Sequence, residues 1–584
     1  MSCAGVKEAG CNGLISANGE LESQVASPGS VFPCPGWRLQ TILDPMLATA
    51  GLGMAFGQKA LFENVSIKFT AGNCYGLIGA NGTGKSTFLK ILTGELEPST
   101  GAVIKEPGKR MGWLKQDITG HENFQVIQVA MMGHQDLWKI QAEMDRLTAK
   151  EDFTDADGEK LAALQEKFGE MDGYSQESKA AEVLTDLGVP PDQHQRQMAE
   201  INTALKVRVL LAQAVFSNPD ILLLDEPTNN LDIPAMVWLE QYLADYEGTV
   251  IVVSHDRHFL NRVCTHTCDV DYRTVRIFSG PYDVYQAQEQ LARAQRSKEG
   301  GRVERQVEKL KKFVERFKSN AARSKQATSR VKLINELSGQ KVLPSSRVSP
   351  RLFFKVPKPS GQDVIKVENI TFRYPGGDRD IVRNFTTRLD RGDRLAIVGR
   401  NGMGKSTLVR LLLGDLPPQK GKVEWSTTTS RTYFPQDGGN LFEGKEELSI
   451  YEWIRQYTEN QDINNMRAML GRMLFSGDEV KKPVGVLSGG EKVRCMLSMV
   501  MLAEANTLVL DEPTSHLDME SIEALQEALE EFTGTLIVVS HDREFIDQVA
   551  TRVIVLDDHK PGEPSQLTDW KGDYLTYRAT RKLE

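Results

Sequence analysis

Two glycine-rich segments carry a lysine and a hydroxyl side chain at matching positions. The first reads GANGTGKST at 79–87, and the second reads GRNGMGKST at 399–407. Each follows an apolar run and precedes a helical pattern, which is the context in which GxxxxGK[ST] binds phosphate. Glycines let backbone N–H groups curl around phosphate oxygens, and the helix N-terminus adds a favourable dipole. The spacing predicts two nucleoside-triphosphate sites.

The residue types within these loops assign roles. Lys85 and Lys405 are predicted to reach the β- and γ-phosphates, and Ser86 and Ser406 to ligate Mg²⁺. The other predicted nucleotide-binding residues of the two loops are Gly79, Asn81, Gly82, Gly84, Thr87, Gly399, Asn401, Gly402, Gly404 and Thr407.

Paired carboxylates end two further apolar strands. Asp225 and Glu226 follow the first strand, and Asp511 and Glu512 follow the second. An Asp at a strand end can support Mg²⁺, and the adjacent Glu can orient or deprotonate an attacking water. The sequence therefore predicts metal-binding and catalytic carboxylates at two hydrolytic sites.

A histidine and a glutamine complete each predicted site. His255 and His541 follow a third apolar strand and are predicted to sense the γ-phosphate. Gln116 in LKQD and Gln436 in FPQD are assigned to the metal ion. Each residue could be a satisfied structural group by itself, but the same types recur in the same order twice. That repetition favours the functional interpretation.

An internal repeat organises the chain. The glycine-rich loops and the glutamines are 320 residues apart, whereas the carboxylate pairs and the histidines are 286 apart. The first copy therefore carries 34 more residues between Gln116 and Ile201. Segment 134–175 shows two stretches of helical apolar spacing around a polar break, which predicts an inserted helical arm. A simple surface embellishment is the alternative.

A basic segment separates the two copies. From Tyr285 to Val348 there are sixteen Lys or Arg and six Asp or Glu, a net charge of +10 in a chain of −9. Two runs of helical spacing flank the polar break KSNAARSKQATSR, which predicts a basic helical linker. The alternative is that the basic residues only form a charged surface exposed to solvent. The candidate RNA contacts at the break are Lys318, Arg323, Lys325, Arg330 and Lys332.

The segment LSGGEKVR at 487–494 forms a further predicted anion site. Ser488, Gly489 and Gly490 begin a helix with exposed backbone amides. The first copy departs from this pattern, because Ile201-Asn202-Thr203-Ala204-Leu205 stands at the equivalent position and both glycines are replaced. The site built from Lys405 and this altered segment is expected to turn over more slowly than the other.

These motifs, in this order and twice over, resemble the ABC ATPase family along residues 46–578. The resemblance implies an α/β fold with two tandem ABC-type P-loop domains that pair within one monomer. It implies two ATP molecules, each held between one copy's P-loop and the other copy's signature, and hydrolysis of ATP to ADP and phosphate. It also implies that Phe56 and Tyr374 stack on adenine.

The layout is also similar to the ABC-F translation factors, in particular their bacterial YbiT-like branch. The shared features are tandem domains without membrane spans, the arm, the basic linker and segments such as GEMDGYS and CTHTCDVDY. This resemblance implies that the partner is the ribosome and that the linker contacts rRNA and tRNA. It also implies that ATP binding favours the bound state and that hydrolysis releases it.

Three other classes of protein are alternatives to a translation factor. An ATPase subunit of an ABC transporter would need no basic linker, so the +10 segment counts against it. A DNA-repair ABC protein would be expected to carry zinc CxxC pairs or long coiled coils, which the sequence lacks. A nucleotide-sensing, ribosome-binding scaffold with little hydrolysis is opposed by Glu226 and Glu512.

Composition limits the class of protein. A hydrophobic content of 40% suffices for ordinary cores, and no apolar run approaches the roughly 20 residues that a membrane helix needs. Seven scattered cysteines argue against a disulfide framework and for a reducing compartment, so we expect a soluble cytoplasmic protein. The cluster Cys264-Thr-His266-Thr-Cys268 has no second ligand pair, which favours structural residues over zinc.

The expected division of the chain follows from these patterns. Residues 1–45 match neither a signal nor a transit peptide and are expected to be a disordered extension, translated upstream of a start at Met46. The remaining boundaries are a first ATPase domain at 46–284 with its arm at 134–175, the linker at 285–350 and a second ATPase domain at 351–584.

Overall fold

The computed structural model shows two similar α/β halves, called domain 1 (46–293) and domain 2 (347–581) below. It describes residues 46–57, 59–115, 120–150, 152–229, 231–293, 307, 345, 347–377, 380–436, 438–458, 462–557 and 566–581. The expected extension at 1–45, Gln116 and the five basic residues proposed for RNA contact lie outside these ranges.

Domain 1 alternates strands and helices in the order expected of a P-loop fold. Its elements are β1 Leu47–Phe56, β2 Lys59–Phe69, β3 Asn73–Ile78, α1 Lys85–Thr93, β4 Thr100–Lys105, β5 Met111–Leu114, α2 Val126–Met131, α3 Gln135–Thr148, α4 Asp155–Glu170, α5 Gln176–Asp186, α6 Thr203–Phe216, β6 Ile221–Asp225, α7 Ile233–Ala244, β7 Thr249–Val253, α8 Arg257–Val263, β8 His266–Asp271 and β9 Thr274–Ser279.

A six-stranded sheet in the order β5-β6-β7-β3-β8-β9 forms the centre of domain 1. The first five strands are parallel and β9 is antiparallel. The strands β6 and β7 are buried along their whole length, as expected where both faces of a parallel sheet are covered. Val253 is paired with both Leu77 and Asp225, so the carboxyl ends of β3, β6 and β7 meet at one edge.

The central sheet of domain 1 separates two apolar cores. One core includes Phe62 and Phe88 and lies toward the antiparallel sheet β2-β1-β4. The other includes Leu224, Val209 and Phe259 and lies beneath the helices. Burial on both faces holds the strand ends in place, which is what a precise site at that edge requires.

The segment 134–175 contains the two helices α3 and α4. They pack through a small apolar cluster that includes the buried residues Leu137, Ile140 and Phe168. Lys160 Nζ donates to Glu143 Oε1 across the pair at 2.5 Å. Thr154 accepts a hydrogen bond from the backbone of Asp157 and caps α4. The segment for which the apolar spacing predicted helices thus contains two helices that pack against each other.

Domain 2 repeats this architecture. Its elements are β10 Asp363–Phe372, β11 Val382–Asp390, β12 Arg394–Gly399, α9 Lys405–Leu413, β13 Lys420–Trp425, β14 Arg431–Phe434, α10 Gly439–Phe442, α11 Ile450–Arg455, α12 Ile463–Arg472, α13 Gly489–Leu502, β15 Thr507–Asp511, α14 Met519–Glu530, β16 Thr535–Val539, α15 Arg543–Val549, β17 Arg552–Asp557, β18 Gln566–Trp570 and α16 Tyr574–Arg581.

The sheets of domain 2 have the same strand order as those of domain 1. The larger sheet runs β14-β15-β16-β12-β17-β18 and the smaller one β11-β10-β13. Asp511 is paired with Val539, which is the counterpart of the pair between Asp225 and Val253. None of the helices in the described ranges is long and apolar enough to cross a bilayer.

Candidate active sites

Each glycine-rich loop connects the central strand of its sheet to a helix. Gly82 and Gly84 have φ angles of 79° and 101°, and Gly402 and Gly404 have 79° and 99°, a region that side chains disfavour. The nine-residue helices α1 and α9 begin directly after these loops and have no side-chain cap. Their first-turn amides are therefore available to phosphate oxygens, so the loops fit the triphosphate that the sequence predicts.

The two P-loop lysines lie over their own loops. Lys85 Nζ donates to the carbonyl oxygen of Gly79 at 2.7 Å, and Lys405 Nζ donates to that of Gly399 at 3.0 Å. Burial lowers the pKa of both lysines, although nearby carboxylates such as Glu226 and Glu512 oppose this effect. Both ammonium groups are held beside the helix N-terminus, where they can contact a bound phosphate.

The catalytic carboxylate candidates are deeply buried. Burial raises the pKa of Glu226 to about 7 and that of Glu512 to about 8, with Asp225 and Asp511 adding to each shift. A carboxyl group with a pKa near neutrality is suited to general acid–base chemistry. Both glutamates also adopt left-handed backbone conformations, with φ of 51° and 52°, a strain that recurs at functional positions.

Two of the residues assigned to the metal ion, Ser86 and Asp225, lie together in domain 1. Burial raises the pKa of Asp225, while a hydrogen bond from the Ser86 hydroxyl opposes this shift. Asp225 Oδ1 has no hydrogen-bond partner among the described residues. A hydroxyl and a carboxylate in contact are hard oxygen donors of the kind that Mg²⁺ prefers. Gln436, the described glutamine of the two, lines the cavity between the domains.

The two histidines contact the catalytic carboxylate candidates. His255 Nε2 lies 3.3 Å from Glu226 Oε1, and His541 Nε2 lies 3.6 Å from Glu512 Oε1. Burial lowers the pKa of each histidine to about 3. Each contact therefore joins a neutral imidazole to a carboxyl group that is partly protonated near pH 7, and it is not an ion pair.

Site one combines the P-loop of domain 1 with residues of domain 2. The backbone N–H of Asn81 donates to Asp518 Oδ2 at 3.0 Å. A Cβ on Gly490 would lie 3.0 Å from Asn81 Nδ2 and 2.9 Å from the carbonyl oxygen of His516. A side chain at Gly490 would therefore crowd the interface, so the glycine permits the close approach of the two halves.

Site two combines the P-loop of domain 2 with residues of domain 1. The backbone N–H of Asn401 donates to Asp232 Oδ2 at 3.2 Å. Asp232 is held by Arg208 of α6, whose Nη2 lies 3.3 Å from Asp232 Oδ2 in a buried ion pair. The two sites therefore use the same kind of contact in opposite directions across the interface.

The altered first signature still caps its helix. Asn202 Oδ1 accepts a hydrogen bond from the backbone N–H of Leu205 at 2.9 Å, as Ser488 does from Glu491. The Glu491 carboxylate in turn accepts a hydrogen bond from the backbone N–H of Ser488 at 2.8 Å. Leu205, at the equivalent position, has no acceptor in its side chain and cannot form this bond. The helix start is thus preserved, while Ala204 carries a side chain where Gly490 has none.

The P-loop asparagines reveal a second difference between the sites. Asn81 Nδ2 donates across the interface to the carbonyl oxygen of His516 at 3.4 Å. Asn401 Oδ1 instead contacts groups of its own domain, His541 Nε2 at 2.9 Å and Lys405 Nζ at 3.3 Å. The side chains of the two asparagines therefore make different contacts.

A cavity of about 1470 Å³ connects the two sites. Phe56 lines it and is 55% exposed. Tyr374 is half-exposed, and its hydroxyl lies 3.1 Å from Thr407 Oγ1 in the second P-loop. The two aromatic residues predicted to stack on adenine are thus located beside the loops. The cavity also contains Ser488 and Gly489 from domain 2 and Asn202 from domain 1.

Two interface residues were missed by the sequence analysis. Asp232 and Asp518 contact the P-loops of the opposite domains, yet they were not among the predicted site residues. The sequence did contain a signal for these two residues. Asp232 and Asp518 are each the last residue of a repeated segment that begins with the catalytic carboxylates. Sequence alone did not show that these ends reach across an interface.

The cysteine cluster leads into β8 of domain 1. Cys264 and Cys268 are buried, and Cys74 Sγ lies 3.9 Å from Cys264 Sγ. Across the described residues, no group of three or more His, Cys, Asp or Glu side chains could hold a metal ion.

The chain belongs to the ABC family of ATPases. A family model described as ABC transporter matches residues 62–229 and 382–515, which contain both P-loops and both carboxylate pairs. A second model of the same description matches residues 268–354. The protein is thus a tandem ABC ATPase that binds and hydrolyses ATP, as the paired sites indicate.

Similar proteins place it in the ABC-F type. The probable ATP-binding protein YbiT of Escherichia coli O157:H7 is 46% identical over 540 residues, which cover 92% of this chain and 100% of YbiT. The uncharacterized ABC transporter ATP-binding protein YkpA of Bacillus subtilis (strain 168) is 47% identical over 510 residues, 87% of this chain and 94% of YkpA.

Solved structures share the fold at lower identity. An archaeal ribosome recycling factor, aABCE1, in complex with the ribosomal stalk protein aP1 has a TM-score of 0.58 at 19% identity. A structure named RNase-L Inhibitor has a TM-score of 0.58 at 20% identity. Both alignments cover 91% of this chain and 92% of the other. This likeness shows the fold alone.

Proposed function

We propose that this protein is an ABC-F translation factor that binds the ribosome in its ATP-bound state and is released after hydrolysis. The observation that carries the proposal is a connection of net charge +10 between two ATPase domains in a chain of net charge −9. Basic charge concentrated in one segment suits a phosphate-backbone partner. One neighbour in fold is named a ribosome recycling factor, which supports the proposal by analogy. The place of action is then the cytoplasm.

At each ATP site we propose the following roles. Lys85 and Lys405 contact the β- and γ-phosphates, because both lie beside uncapped helix N-termini. Glu226 and Glu512 orient and deprotonate the attacking water, for which a pKa near neutrality is suitable. The residues assigned to Mg²⁺ are Ser86, Gln116, Asp225, Ser406, Gln436 and Asp511. The metal ion would neutralise charge on the phosphates.

The histidines and aromatic residues have supporting roles in this proposal. His255 and His541 are neutral and lie beside the catalytic glutamates, so they can donate a hydrogen bond toward the γ-phosphate. Phe56 and Tyr374 provide rings beside the P-loops for the adenine base. The signature residues Ser488, Gly489 and Gly490 complete site one from domain 2.

The link between ATP and ribosome binding follows from the composite sites. A nucleotide bound at one P-loop places its γ-phosphate against the signature helix of the other domain, so it stabilises the paired domains. Hydrolysis breaks the bond between the β- and γ-phosphates. The γ-phosphate then no longer links the bound nucleotide to the opposite domain, and the pairing weakens. The linker joins the two domains, and we propose that it contacts rRNA and tRNA through Lys318, Arg323, Lys325, Arg330 and Lys332.

The test is co-sedimentation of the Glu226→Gln/Glu512→Gln variant with ribosomes. Glutamine resembles a protonated glutamate, so the variant is expected to bind ATP and close while hydrolysis falls by about 10²–10⁴-fold. We expect the variant to remain on ribosomes with ATP and to leave them with ADP. A matched control adds Lys85→Met and Lys405→Met, which remove the phosphate contacts and should abolish ATP-dependent binding.

The same experiment separates the alternatives. A trapped variant that sediments free of ribosomes in the presence of ATP would contradict the proposal. Co-purification of a membrane permease would favour a transporter subunit, and co-purification of DNA would favour a chromosome-associated protein. Ribosome binding that is the same with ATP, ADP and no nucleotide would favour a scaffold.

A further inference from the structure

One buried arginine anchors the segment that leads into domain 2. Arg347 is 5% exposed at its side chain. Its Nη2 donates to Asp269 Oδ1 at 2.7 Å, and its Nη1 donates to Glu520 Oε1 at 2.5 Å. Asp269 belongs to β8 of domain 1, whereas Glu520 belongs to the first turn of α14 of domain 2. A single guanidinium therefore joins both domains to the end of the connection between them.

Neighbouring groups fix the position of this guanidinium. The Ser345 hydroxyl donates to Asp271 Oδ2 at 2.6 Å and accepts from the backbone N–H of Arg347 at 3.1 Å. Arg347 Nε lies 3.9 Å from Asp271 Oδ2, and the guanidinium carbon lies 5.8 Å from the ring centre of Tyr285. The end of the connection is thus attached to domain 1 by several contacts that restrict the rotamer of Arg347.

The charges around Arg347 require it to stay in place. Asp269 and Asp271 are buried, and Glu520 is 12% exposed at its side chain. Burial opposes the charge of Arg347, but Asp269 and Glu520 raise its pKa above the usual range. Loss of the cation would leave buried carboxylates without compensation, which is strongly unfavourable.

Residues close in sequence to both anchors of Arg347 lie against the P-loop of site one. A Cβ on Gly79 would lie 2.7 Å from the carbonyl oxygen of Val270, which stands between the two aspartates of β8. Asp518, two residues before Glu520, accepts the hydrogen bond from the backbone of Asn81. The next residue after Arg347, Val348, lines the cavity between the domains. Arg347 therefore holds the two elements that position the first P-loop.

The described residues of site two do not repeat this arrangement. At the repeat offset of 286, Val555 replaces Asp269 and Pro234 replaces Glu520. Neither side chain carries a charge, so neither could anchor a guanidinium as Asp269 and Glu520 do. We call the group formed by Arg347, Asp269 and Glu520 the clamp. Among the described residues it belongs to site one, which gives a physical origin for a difference between the sites that is independent of the signature residues.

We propose that Arg347 is a positioning residue for ATP hydrolysis at site one. It holds β8 of domain 1 and the start of α14 of domain 2 in the relative position at which Asp518 meets Asn81. Arg347 lies at the end of the interdomain connection. Closure of site one therefore depends on whether this end keeps its contacts with Asp269 and Glu520. Site two closes without this requirement.

The test measures Arg347→Met and Arg347→Lys in two backgrounds. Glu512→Gln leaves site one as the hydrolytic site, and Glu226→Gln leaves site two. Single-turnover hydrolysis is followed with enzyme in excess and without ribosomes. We expect Arg347→Met to slow site one by about 10- to 100-fold, because a small misplacement of the reacting groups has effects of that size. The rate at site two should change by less than about twofold, a difference that lies within ordinary mutational scatter.

Rescue and coupling distinguish positioning from general damage. Arg347→Lys keeps one cation and should recover part of the rate at site one. Glu520→Gln should slow the same site, and its effect combined with Arg347→Met should be smaller than the product of the two single effects. The matched control is Lys355→Ala. Lys355 lies in the same segment as Arg347, and its exposed ion pair with Glu504 is contained within domain 2. This substitution should leave both sites unchanged.

Several outcomes would overturn the proposal. Equal losses at the two sites would show that Arg347 supports the fold in general, and an unchanged site one would show that the clamp has no role in hydrolysis. If Arg347→Met fails to fold, Glu520→Gln carries the test because it removes one anchor and retains the cation. An effect of Glu520→Gln on site two that equals its effect on site one would then reject the clamp.

Discussion

The backbone N–H of Asn81 in the first P-loop donates to the carboxylate of Asp518, which lies 437 residues further along the chain. Asp518 also caps α14 by accepting from the backbone N–H of Ser521 at 3.1 Å. One carboxylate therefore determines where a helix of domain 2 begins and where the P-loop of domain 1 sits. Asp232 and Asn401 form the reciprocal contact at site two.

Substitution of Asp518 should separate its two roles. Asp518→Asn keeps a side chain that caps helices well, so stability should change little. Asp518→Ala should lower the free energy of unfolding by about 1 kcal/mol because the cap is lost. Both variants should slow hydrolysis at site one, measured by single turnover in the Glu512→Gln background. Wild-type turnover by Asp518→Asn would contradict a role for the charged contact.

The two ATP sites should differ in rate. Site one has the complete signature, whereas site two has Thr203 and Ala204 at the glycine positions, and loss of one preorganised donor costs about 10²–10³ in rate. Glu226→Gln should therefore remove most of the turnover, and Glu512→Gln much less. Single-turnover hydrolysis with ribosomes present measures both. Equal losses or the reverse order would refute the asymmetry and leave the family assignment intact.

Much of the site could be predicted from the sequence because its chemistry is local. A P-loop is a contiguous segment, and strands such as the one before Asp225 are recognised by short apolar runs. Parallel pairing then brings their ends together at one edge. The repeat offsets also predicted an insertion between Gln116 and Ile201, the part of the chain that contains α3 and α4.

The interface was beyond the reach of the sequence. The contact between Asn81 and Asp518, and the clamp at Arg347, join residues far apart in the chain, and no periodicity encodes which distant groups meet. Burial has the same property, since the raised pKa of Glu226 comes mainly from the burial of its carboxyl group in the folded protein. The left-handed conformation of that glutamate is likewise invisible to a pattern of residue types.

Neutralising the linker should weaken ribosome binding. Lys318→Gln, Arg323→Gln and Lys325→Gln together should lower the affinity and flatten its salt dependence, because each phosphate contact releases counterions. Basal ATPase activity should change little. Ribosome affinity measured from low to high salt checks this. The matched control neutralises three exposed basic residues of domain 2, Lys355, Lys366 and Lys481. Unchanged affinity of the linker variant at every salt concentration would reject the linker as an RNA contact.

Closure of the domains should weaken as the pH rises. Burial raises the pKa of Asp542 to about 7, and Asp256 of the opposite domain adds to the shift. Separated domains would return this pKa to about 4, so the closed state binds more protons between these values. Closure is therefore most favoured below the lower pKa and loses up to about tenfold in its equilibrium constant between pH 6 and pH 8.

The measurement must exclude the other groups that titrate in this range. The Glu226→Gln/Glu512→Gln background removes the two active-site glutamates, whose pKa values are raised to about 7 and about 8. Fluorescence energy transfer between the domains with ATP reports closure. The charged groups that face this pair are Glu240, Arg257, His258, Arg543 and Glu544. Asp542→Asn retains the cap on α15 and should flatten the pH profile. An unchanged profile in that variant would refute the assignment.

Because each ATP site needs residues of both domains, the order of chain synthesis determines when each site can be completed. Domain 1 contains both of its sheets once residue 279 has been made, and domains fold as units from the N-terminus onward. Neither site is complete at that stage, because site one awaits the signature at 488–490 and site two awaits the second P-loop. A nascent chain that ends before Ser488 can bind nucleotide at Lys85, but its site one lacks the partner half. Prematurely terminated products are therefore silent at site one, and ATP consumption there begins only when synthesis of domain 2 is nearly finished.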